Sequence, residues 1–272
     1  MKLEDQVVIV TGGGSGIGEA ICRRFDDAGA KVAVLDIRAE PANRVAGELA
    51  NDSLPLEADV RDSQAVDAAV DSVVERFGRV DVLVNNAGIA GGDEAVRAGQ
   101  RLAQRVREAA SGKVETHMEA TVGITDDQFR LMIETHLFGT FNCTRAALRH
   151  MTARGNGVIV NIGSRCGQEG CMMLPHYSAT KGAIHALTRA VAQDVAAQGV
   201  RVNAVAPGFV ETPINDFLPE EAIASAVAAT PIERVGTAAE IAAVTLFLAS
   251  DDASFMYGQV LGPNGGLNTS PI

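Results

Sequence analysis

Positive charge is scarce in this sequence of 272 residues. Lysine and arginine total 23 against 34 aspartates and glutamates, which leaves a formal net charge of -11. Because a surface of this sign repels the phosphates of nucleic acids and of anionic lipids, we expect neither nucleic acid nor membrane as a partner. Long apolar runs are also missing. The longest uncharged stretch, residues 253–272, contains glycine, proline and asparagine and could not cross a bilayer as a helix.

Cysteine and metal-binding patterns are scarce too. The four cysteines Cys22, Cys143, Cys166 and Cys171 lack a C-x-x-C spacing. This favours free thiols in a reducing cytoplasm, with a bridge between Cys166 and Cys171 as the alternative. The five histidines form no ligand pair backed by nearby carboxylates, so no metal site is expected. The charged first six residues lead into only four apolar ones, and we expect no secretory leader there.

Short β-rich runs alternate with helical stretches along the chain. Most of these runs are continuously apolar, which is typical of strands buried on both faces of a parallel sheet. Helices that join successive parallel strands then lie on both faces. The pattern predicts an α/β fold, a single doubly wound Rossmann domain over residues 1–272. The expected strands are 6–11, 31–36, 53–58, 80–85, 157–163, 200–206 and 257–261, and the expected helices are 16–28, 41–50, 63–77, 126–153, 177–197 and 238–249.

Residues 89–124 exceed the short loop that such an alternation needs. From Asp93 to Ala110, apolar and small residues recur at three- and four-residue steps, which predicts a helix. We interpret residues 91–124 as an inserted helical segment. It is either a solvated surface helix or a subunit contact or lid over the active site. Its exposed side carries Arg97, Arg101, Arg105 and Arg107.

A glycine-rich turn follows the first strand. Residues 11–18 read TGGGSGIG and lead into a helix, so the backbone can approach a diphosphate at the helix N-terminus. The second strand ends at Asp36. A carboxylate there can accept hydrogen bonds from both hydroxyls of an adenosine ribose, and it repels a 2′-phosphate. NAD is therefore favoured over NADP, although Arg38 lies two residues further on; the other interpretation of Asp36 is a strand-end cap.

Ser164, Tyr177 and Lys181 form the candidate catalytic set. A tyrosine and a lysine four residues apart share one face of a helix. A free tyrosine keeps its proton up to a pKa of about 10, and a neighbouring ammonium favours the phenolate. Ser164, at the end of the fifth strand, could donate a hydrogen bond to the substrate oxygen and stabilise developing charge.

Together these motifs resemble the short-chain dehydrogenase/reductase family over essentially the whole chain. The matching positions are residues 11–18, 59–60, 85–88, 164, 177–181, 203 and 207–208. The resemblance implies a seven-stranded parallel sheet and hydride exchange between a nicotinamide and an alcohol or carbonyl. In that scheme Tyr177 is the acid/base, Lys181 holds the nicotinamide ribose and Ser164 positions the substrate. The cofactor-binding residues that it implies are Gly12, Ser15, Gly16, Ile17, Gly18, Asp36, Asp59, Val60, Asn86, Ala87, Gly88, Tyr177, Lys181, Pro207, Gly208, Val210 and Thr212.

The sequence departs from the family pattern at His136. The family places an asparagine there, in the long helix before the fifth strand, where it holds a water of the proton relay. One interpretation of His136 is a core histidine bonded to a backbone carbonyl. In the other, a neutral imidazole replaces the amide, because it too offers one donor and one acceptor.

We therefore predict an NAD-dependent oxidoreductase that acts on a secondary alcohol or its ketone. The resemblance also implies a homo-tetramer or dimer built on helices 126–153 and 177–197. Residues 172–174 suggest an apolar wall, and residues 211–229 are placed like the mobile substrate-covering segment of the family. Two alternatives stay open: a non-catalytic dinucleotide-binding sensor or scaffold, and an NADPH-dependent 3-oxoacyl-thioester reductase whose acidic carrier would meet the arginines of the insertion.

Overall fold

Parallel strands organise the computed structural model, which describes residues 2–268. The strands are β1 (Val7–Thr11), β2 (Lys31–Asp36), β3 (Ser53–Glu57), β4 (Val82–Asn85), β5 (Gly157–Ile162), β6 (Val200–Val205), β7 (Val210–Glu211), β8 (Gly236–Thr237) and β9 (Val260–Leu261). Within the described residues, seven of them form one parallel sheet in the order β3-β2-β1-β4-β5-β6-β9. This confirms the predicted sheet. The short strands β7 and β8 pair separately and were not predicted.

Helices connect these strands. They are α1 (Gly16–Asp26), α2 (Ala39–Glu48), α3 (Ser63–Phe77), α4 (Asp93–Ala110), α5 (Ala120–Gly123), α6 (Asp126–Ile133), α7 (Gly139–Arg154), α8 (Cys166–Glu169), α9 (Pro175–Val195), α10 (Glu220–Ala229) and α11 (Ala238–Ala249). Local sequence sets their ends. The carboxylate of Asp62 accepts hydrogen bonds from two backbone N–H groups at the start of α3, and Gly78 ends that helix with a φ of 81°. No helix of the described residues has both the length and the apolar character needed to span a bilayer.

An apolar layer on each face holds the sheet. Val8 and Val10 of β1 pack in the layer formed with α1, α2 and α11, whereas Val7 and Ile9 pack in the layer formed with α3, α7 and α9. Alternate residues of a strand point to opposite faces, so a continuously apolar strand serves both layers. Each such buried side chain stabilises the fold by about 1.5–3 kcal/mol relative to an exposed one. The two edge strands, β3 and β9, are the exceptions and are only partly buried.

The strand order reverses at β1, which has β2 on one side and β4 on the other. In open α/β sheets, ligands bind at this switch point, beyond the carboxyl ends of the strands. Val10 of β1 lies in register with Val34 of β2 and Val84 of β4. The register therefore brings Asp36 and Asn85, the last residues of β2 and β4, close to the glycine turn that follows β1.

The long helix predicted over residues 126–153 is interrupted. It consists of α6, a π-helical turn over Glu134–Phe138, and α7. Such turns are rare and occur frequently at functional sites, because they re-aim the side chains they carry. His136 lies in this turn with only 1% of its surface exposed. Nothing in the apolar spacing indicated the turn.

The inserted segment contains α4, whose bounds match the helix predicted for it. A Cβ atom added at Gly99 of α4 would lie 3.3 Å from the side chains of both Leu218 and Pro219. Gly99 therefore allows α4 to pack closely against the chain that leads into α10. The insertion borders the segment predicted to cover the substrate.

The arginines of α4 are not simply a solvated face. Their partners are the carbonyl oxygen of His117 for Arg101 (2.7 Å), the carbonyl oxygen of Thr116 for Arg105 (2.6 Å) and the carboxylate of Glu221 for Arg107 (2.7 Å). Two of these bonds tie α4 to the chain that returns from it, and the third ties it to α10. All three arginine side chains therefore have binding partners within the same chain.

Cys166 and Cys171 form a disulfide, so the expectation of free thiols was wrong for this pair. The short helix α8 and Gly170, with a φ of 79°, turn the chain back and bring the two Cα atoms to 5.1 Å. This separation lies within the range that a disulfide spans. Cys22 and Cys143 are free and buried. Burial raises the pKa of the Cys143 thiol to about 12.

Candidate active site

A cavity of about 740 Å³ opens at the carboxyl ends of β1, β2, β4 and β5. It brings together the site residues predicted from the sequence, with the exception of Gly18. Those that line it are Gly12, Ser15, Gly16, Ile17, Asp36, Asp59, Val60, Asn86, Ala87, Gly88, His136, Ser164, Tyr177, Lys181, Pro207, Gly208, Val210 and Thr212.

The glycine turn leaves room and donors for an anion. Gly12 has a φ of 63°, a conformation that side chains disfavour. The side chain of Ser15 makes no capping bond, so the first backbone N–H groups of α1 have no partner from that side chain. A diphosphate fits this turn, because those N–H groups and the positive end of the helix dipole face it. Gly18 lies behind the turn, where a Cβ atom would overlap the carbonyl oxygen of Gly12.

Asp36 is buried at the end of β2 and held by two backbone bonds. Its Oδ2 accepts from the N–H of Gly14 at 3.1 Å, and its Oδ1 accepts from the N–H of Arg38 at 3.2 Å. A Cβ atom at Gly14 would lie 2.8 Å from Oδ2, so glycine is needed beside the carboxylate. The remaining lone pairs can accept ribose hydroxyls. Arg38 also lines the cavity.

Thr11 and Asn86 join the ends of β1 and β4. The hydroxyl oxygen of Thr11 accepts from the backbone N–H groups of Asn86 and Ala87, each at 3.0 Å. In return, the Asn86 amide donates to the carbonyl oxygens of Thr11 and Gly12 at 3.0 and 3.1 Å. These reciprocal bonds fix the floor of the cavity. Asn203, another motif position, instead donates to the carbonyl oxygen of Met256 and so holds β9 beside β6.

Tyr177 and Lys181 lie one turn apart on α9, across from Ser164. The Ser164 side chain interacts with the Tyr177 phenol. Lys181 donates from Nζ to the carbonyl oxygen of Ile162 at 2.8 Å, and this Nζ lies 5.6 Å from the centre of the Tyr177 ring. The first turn of α9 starts with Pro175, which suits a helix N-terminus because it has no N–H to satisfy.

Burial opposes the charged forms of both side chains. It raises the pKa of Tyr177, although the hydrogen bond from Ser164 acts in the other direction. It lowers the pKa of Lys181 to about 7. The protein alone therefore leaves the phenol protonated at neutral pH, contrary to the effect expected from the lysine. A positive charge brought in with a ligand would favour the phenolate.

His136 lies edge-on to Tyr177, with the ring centres 5.5 Å apart. Its Nε2 is 3.0 Å from the backbone nitrogen and 2.8 Å from the carbonyl oxygen of Ile89, so either tautomer has a partner there. A Cβ atom at Gly88 would overlap the imidazole. Burial, followed by the charge of Lys181, holds the pKa of His136 well below its usual range. The ring is therefore neutral at physiological pH.

The end of the cavity near Tyr177 and the start of α9 is partly apolar. Met173, Leu174, Phe217 and Leu218 line it, as predicted for residues 172–174 and 211–229, but Met172 does not and is 62% exposed. The disulfide also borders this end. Sequence reasoning missed Leu131 and Thr135, which line the cavity as well. Thr135 lies in the π-helical turn, which the apolar spacing does not indicate.

Comparisons with known proteins agree with this geometry. A family model described as short chain dehydrogenase matches residues 6–222. The chain is 36% identical to 3-oxoacyl-[acyl-carrier-protein] reductase FabG of Thermotoga maritima, over 98% of this chain and 99% of that protein. It is 39% identical to cis-4-hydroxycyclohexanecarboxylate dehydrogenase of Sinomonas cyclohexanicum, over 96% of each. The crystal structure of gox2181 superposes with a TM-score of 0.83 at 33% identity, covering 98% of this chain and 96% of that one.

Proposed function

The chain belongs to the short-chain dehydrogenase family of oxidoreductases, and from that premise we propose that it oxidises a secondary alcohol to a ketone with NAD. One observation carries the proposal. Tyr177, Ser164 and Lys181 meet at one end of a cavity whose other end is the glycine turn and Asp36. An acid/base group and a dinucleotide cradle in one cavity are what hydride transfer to or from an alcohol requires.

Asp36 supports NAD over NADP. Its buried carboxylate is fixed by the N–H groups of Gly14 and Arg38 and faces the cavity. A 2′-phosphate placed there would meet a negative charge in a partly desolvated site. The NADPH-dependent 3-oxoacyl-thioester reductase remains the second candidate, because Arg38 and Arg61 line the same end and one relative is named 3-oxoacyl-[acyl-carrier-protein] reductase. Arg61 forms an ion pair with the carboxylate of Asp59, and this contact lowers the pKa of Asp59.

The residues at the Tyr177 end of the cavity have separate roles in the transfer of the proton. In the oxidation, the alcohol loses a hydride from its C–H bond and a proton from its O–H bond. A nicotinamide bound in this cavity would supply the hydride acceptor. The Tyr177 phenolate accepts the proton, and Ser164 donates a hydrogen bond to the substrate oxygen. Lys181 would hold the ribose of a bound nicotinamide nucleotide, whose positive charge would favour the phenolate. His136 takes the place of the family's asparagine, with its unpartnered Nδ1 available to a relay water.

The proposal also covers the domain organisation, the oligomeric state and the cellular location of the protein. We assign residues 1–272 to one dinucleotide-binding domain with an insertion at 91–124, and we propose a homo-tetramer or dimer. Phe138 and Phe141, 54% and 41% exposed, lie on the long helix that would form the contact. A cytoplasmic location is proposed too, although disulfides such as Cys166–Cys171 persist more readily in oxidising compartments.

A panel of secondary alcohols, assayed for reduction of NAD and of NADP, tests the function. We expect turnover with NAD on at least one alcohol and a lower kcat/KM with NADP. Cofactor binding without turnover of any alcohol or ketone would favour the sensor or scaffold. A clear preference for NADPH with 3-oxoacyl thioesters would favour the reductase.

A further inference from the structure

The chain that leads into α10 runs between the glycine turn and the inserted helix. We call residues 212–219 the covering segment. Near its start, a Cβ atom added at Gly16 of the glycine turn would lie 3.7 Å from Cδ of Pro213. Beyond its end, Glu221 in the first turn of α10 forms an ion pair at 2.7 Å with Arg107 of α4. The covering segment is therefore supported on one side by the proposed dinucleotide cradle and on the other by the insertion.

Gly99 lies where α4 meets the covering segment. A Cβ atom there would lie 3.3 Å from Cδ2 of Leu218, 3.3 Å from Cδ of Pro219 and 3.6 Å from Cδ2 of Phe217. Glycine inside a helix lowers its stability relative to alanine, and here the close approach of the segment accounts for it. Leu218 is buried and also lines the catalytic cavity, so its side chain lies between α4 and that cavity. An atom added at Gly99 therefore presses Leu218 toward the cavity.

Contacts with two other helices keep α4 from moving away from the covering segment. The buried carboxylate of Glu94, in the first turn of α4, accepts hydrogen bonds from the N–H of Gly92 at 2.9 Å and from the side-chain amide of Gln128 of α6 at 2.7 Å. Its Oε1 also lies 3.6 Å from Nε2 of His176, in the first turn of α9. A side chain at position 99 would therefore displace the covering segment and not the helix.

The wall of the cavity beside the covering segment suits an uncharged group. Leu174 lines it together with Phe217 and Leu218. Arg165 lines the cavity as well, but its guanidinium is paired with the carboxylate of Glu169. Because a charged group would lose water here without gaining a free partner from that arginine, the wall favours an apolar substituent.

We propose that Gly99 determines how large a substrate the site accepts, and that the substrates are secondary alcohols with one bulky, neutral, apolar group on the carbinol carbon. The inference rests on the proposed oxidation, in which the substrate hydroxyl lies at Tyr177 and Ser164. Because Gly99 has no side chain, Leu218 stays back from the cavity and leaves room for the bulky group. Gly99 acts through Leu218 and Phe217, so it is a positioning residue and not a catalytic one.

Gly99→Ala tests this role with two secondary alcohols, 2-propanol and 1-cyclohexylethanol. We expect kcat/KM for 1-cyclohexylethanol to fall about tenfold, the lower end of the effect of one methylene group in an apolar pocket. We expect no change in kcat/KM for 2-propanol or in the dissociation constant of NAD. The midpoint of thermal unfolding should not fall, because alanine favours the helix. A general weakening of the fold would instead lower the midpoint and affect both alcohols.

Gly123→Ala is the matched control, because it adds the same atom to the same insertion with nothing within 4 Å of it. We expect it to behave like the wild type with both alcohols. Leu218→Ala in the Gly99→Ala background should restore oxidation of 1-cyclohexylethanol, since the shorter side chain relieves the contact. Failure of this rescue, or equal losses with both alcohols in Gly99→Ala, would overturn the role of Gly99.

Crystal structures of the cofactor-free wild type and of Gly99→Ala separate this inference from the proposed oxidation. We expect the Leu218 side chain to be displaced toward the cavity and α4 to stay in place. A displaced α4 beside an unmoved Leu218 would overturn the inference and leave the oxidation intact. Turnover of other alcohols but not of 1-cyclohexylethanol by the wild type would overturn the proposed substrate class. Absence of turnover of every alcohol would reject the oxidation, whereas the position of Leu218 would still decide the packing role of Gly99.

Discussion

We call the end of the cavity at the glycine turn and Asp36 the adenosine end, and the end at Tyr177 the substrate end, after the ligands proposed for them. The two ends are held by different kinds of contact. At the adenosine end, backbone groups fix the turn and Asp36, and strand register places them. At the substrate end, side chains from the π-helical turn, from α9 and from the chain before α10 meet, and two of them, His136 and Lys181, are titratable and buried. Backbone contacts suit a ligand that is shared by many enzymes, whereas side chains define which reaction occurs.

The largest effect is expected for Tyr177→Phe at the substrate end. Loss of the acid/base group should lower kcat by about 10²–10⁴-fold. The dissociation constant of NAD, measured by titration, should stay unchanged, because the adenosine end is intact. Tyr257→Phe is the control, since it changes the other tyrosine and lies outside the cavity lining. Equal loss of binding and turnover in Tyr177→Phe would show that the two ends are not separate.

Lys181→Met should change how stability depends on pH. The pKa of Lys181 is about 7 in the folded protein and higher in the unfolded chain, at about 10.4. Between these values the unfolded state binds the extra proton, so the free energy of unfolding rises with pH by about 1.4 kcal/mol per unit. Denaturant titrations of cofactor-free protein at several pH values measure this slope. It should be lost in Lys181→Met; an identical slope in both proteins would mean that the ammonium is not desolvated.

Asp36→Asn tests the adenosine end of the cavity. Removing the charge while keeping the size should weaken NAD binding by about tenfold to a hundredfold, the range of a charged hydrogen bond at ~1.5–3 kcal/mol. The substitution should also reduce the preference for NAD over NADP. The kcat at saturating NAD should stay nearly unchanged. Glu57→Gln is the control, because Glu57 ends the neighbouring strand in register with Asp36 but does not line the cavity. A fall in kcat without a change in the dissociation constant of NAD would contradict a role of Asp36 in binding the cofactor.

The smallest effect concerns Gly88, where the two ends meet. Alanine there would press on the ring of His136, and overpacking costs about 1–3 kcal/mol. Thermal unfolding should show this loss, and kcat should fall as His136 moves. Gly47→Ala has nothing within 4 Å of the new atom and should be neutral or stabilising by up to about 1 kcal/mol. Equal stability of both variants would contradict the tight packing of His136.

Most of the residues that form the adenosine end of the cavity were predicted from the sequence, and their binding of a cofactor stays a prediction. The glycine turn and Asp36 follow from strand ends, whose positions apolar runs reveal. The substrate end was predictable only where a local motif exists, as for Tyr177 and Lys181. The approach of Glu94 to His176 joins residues from the insertion and α9, and it depends on tertiary packing that periodicity does not describe. The disulfide likewise depends on the turn at Gly170, which brings two apparently unrelated cysteines together.

A crystal structure with NAD and an alcohol substrate tests the central claim most directly. The account predicts the diphosphate on the turn from Gly12 to Ile17, the adenosine ribose on Asp36, and the substrate hydroxyl within hydrogen-bond distance of Tyr177 and Ser164. A dinucleotide bound elsewhere, or a substrate hydroxyl remote from the Tyr177 phenol, would contradict it.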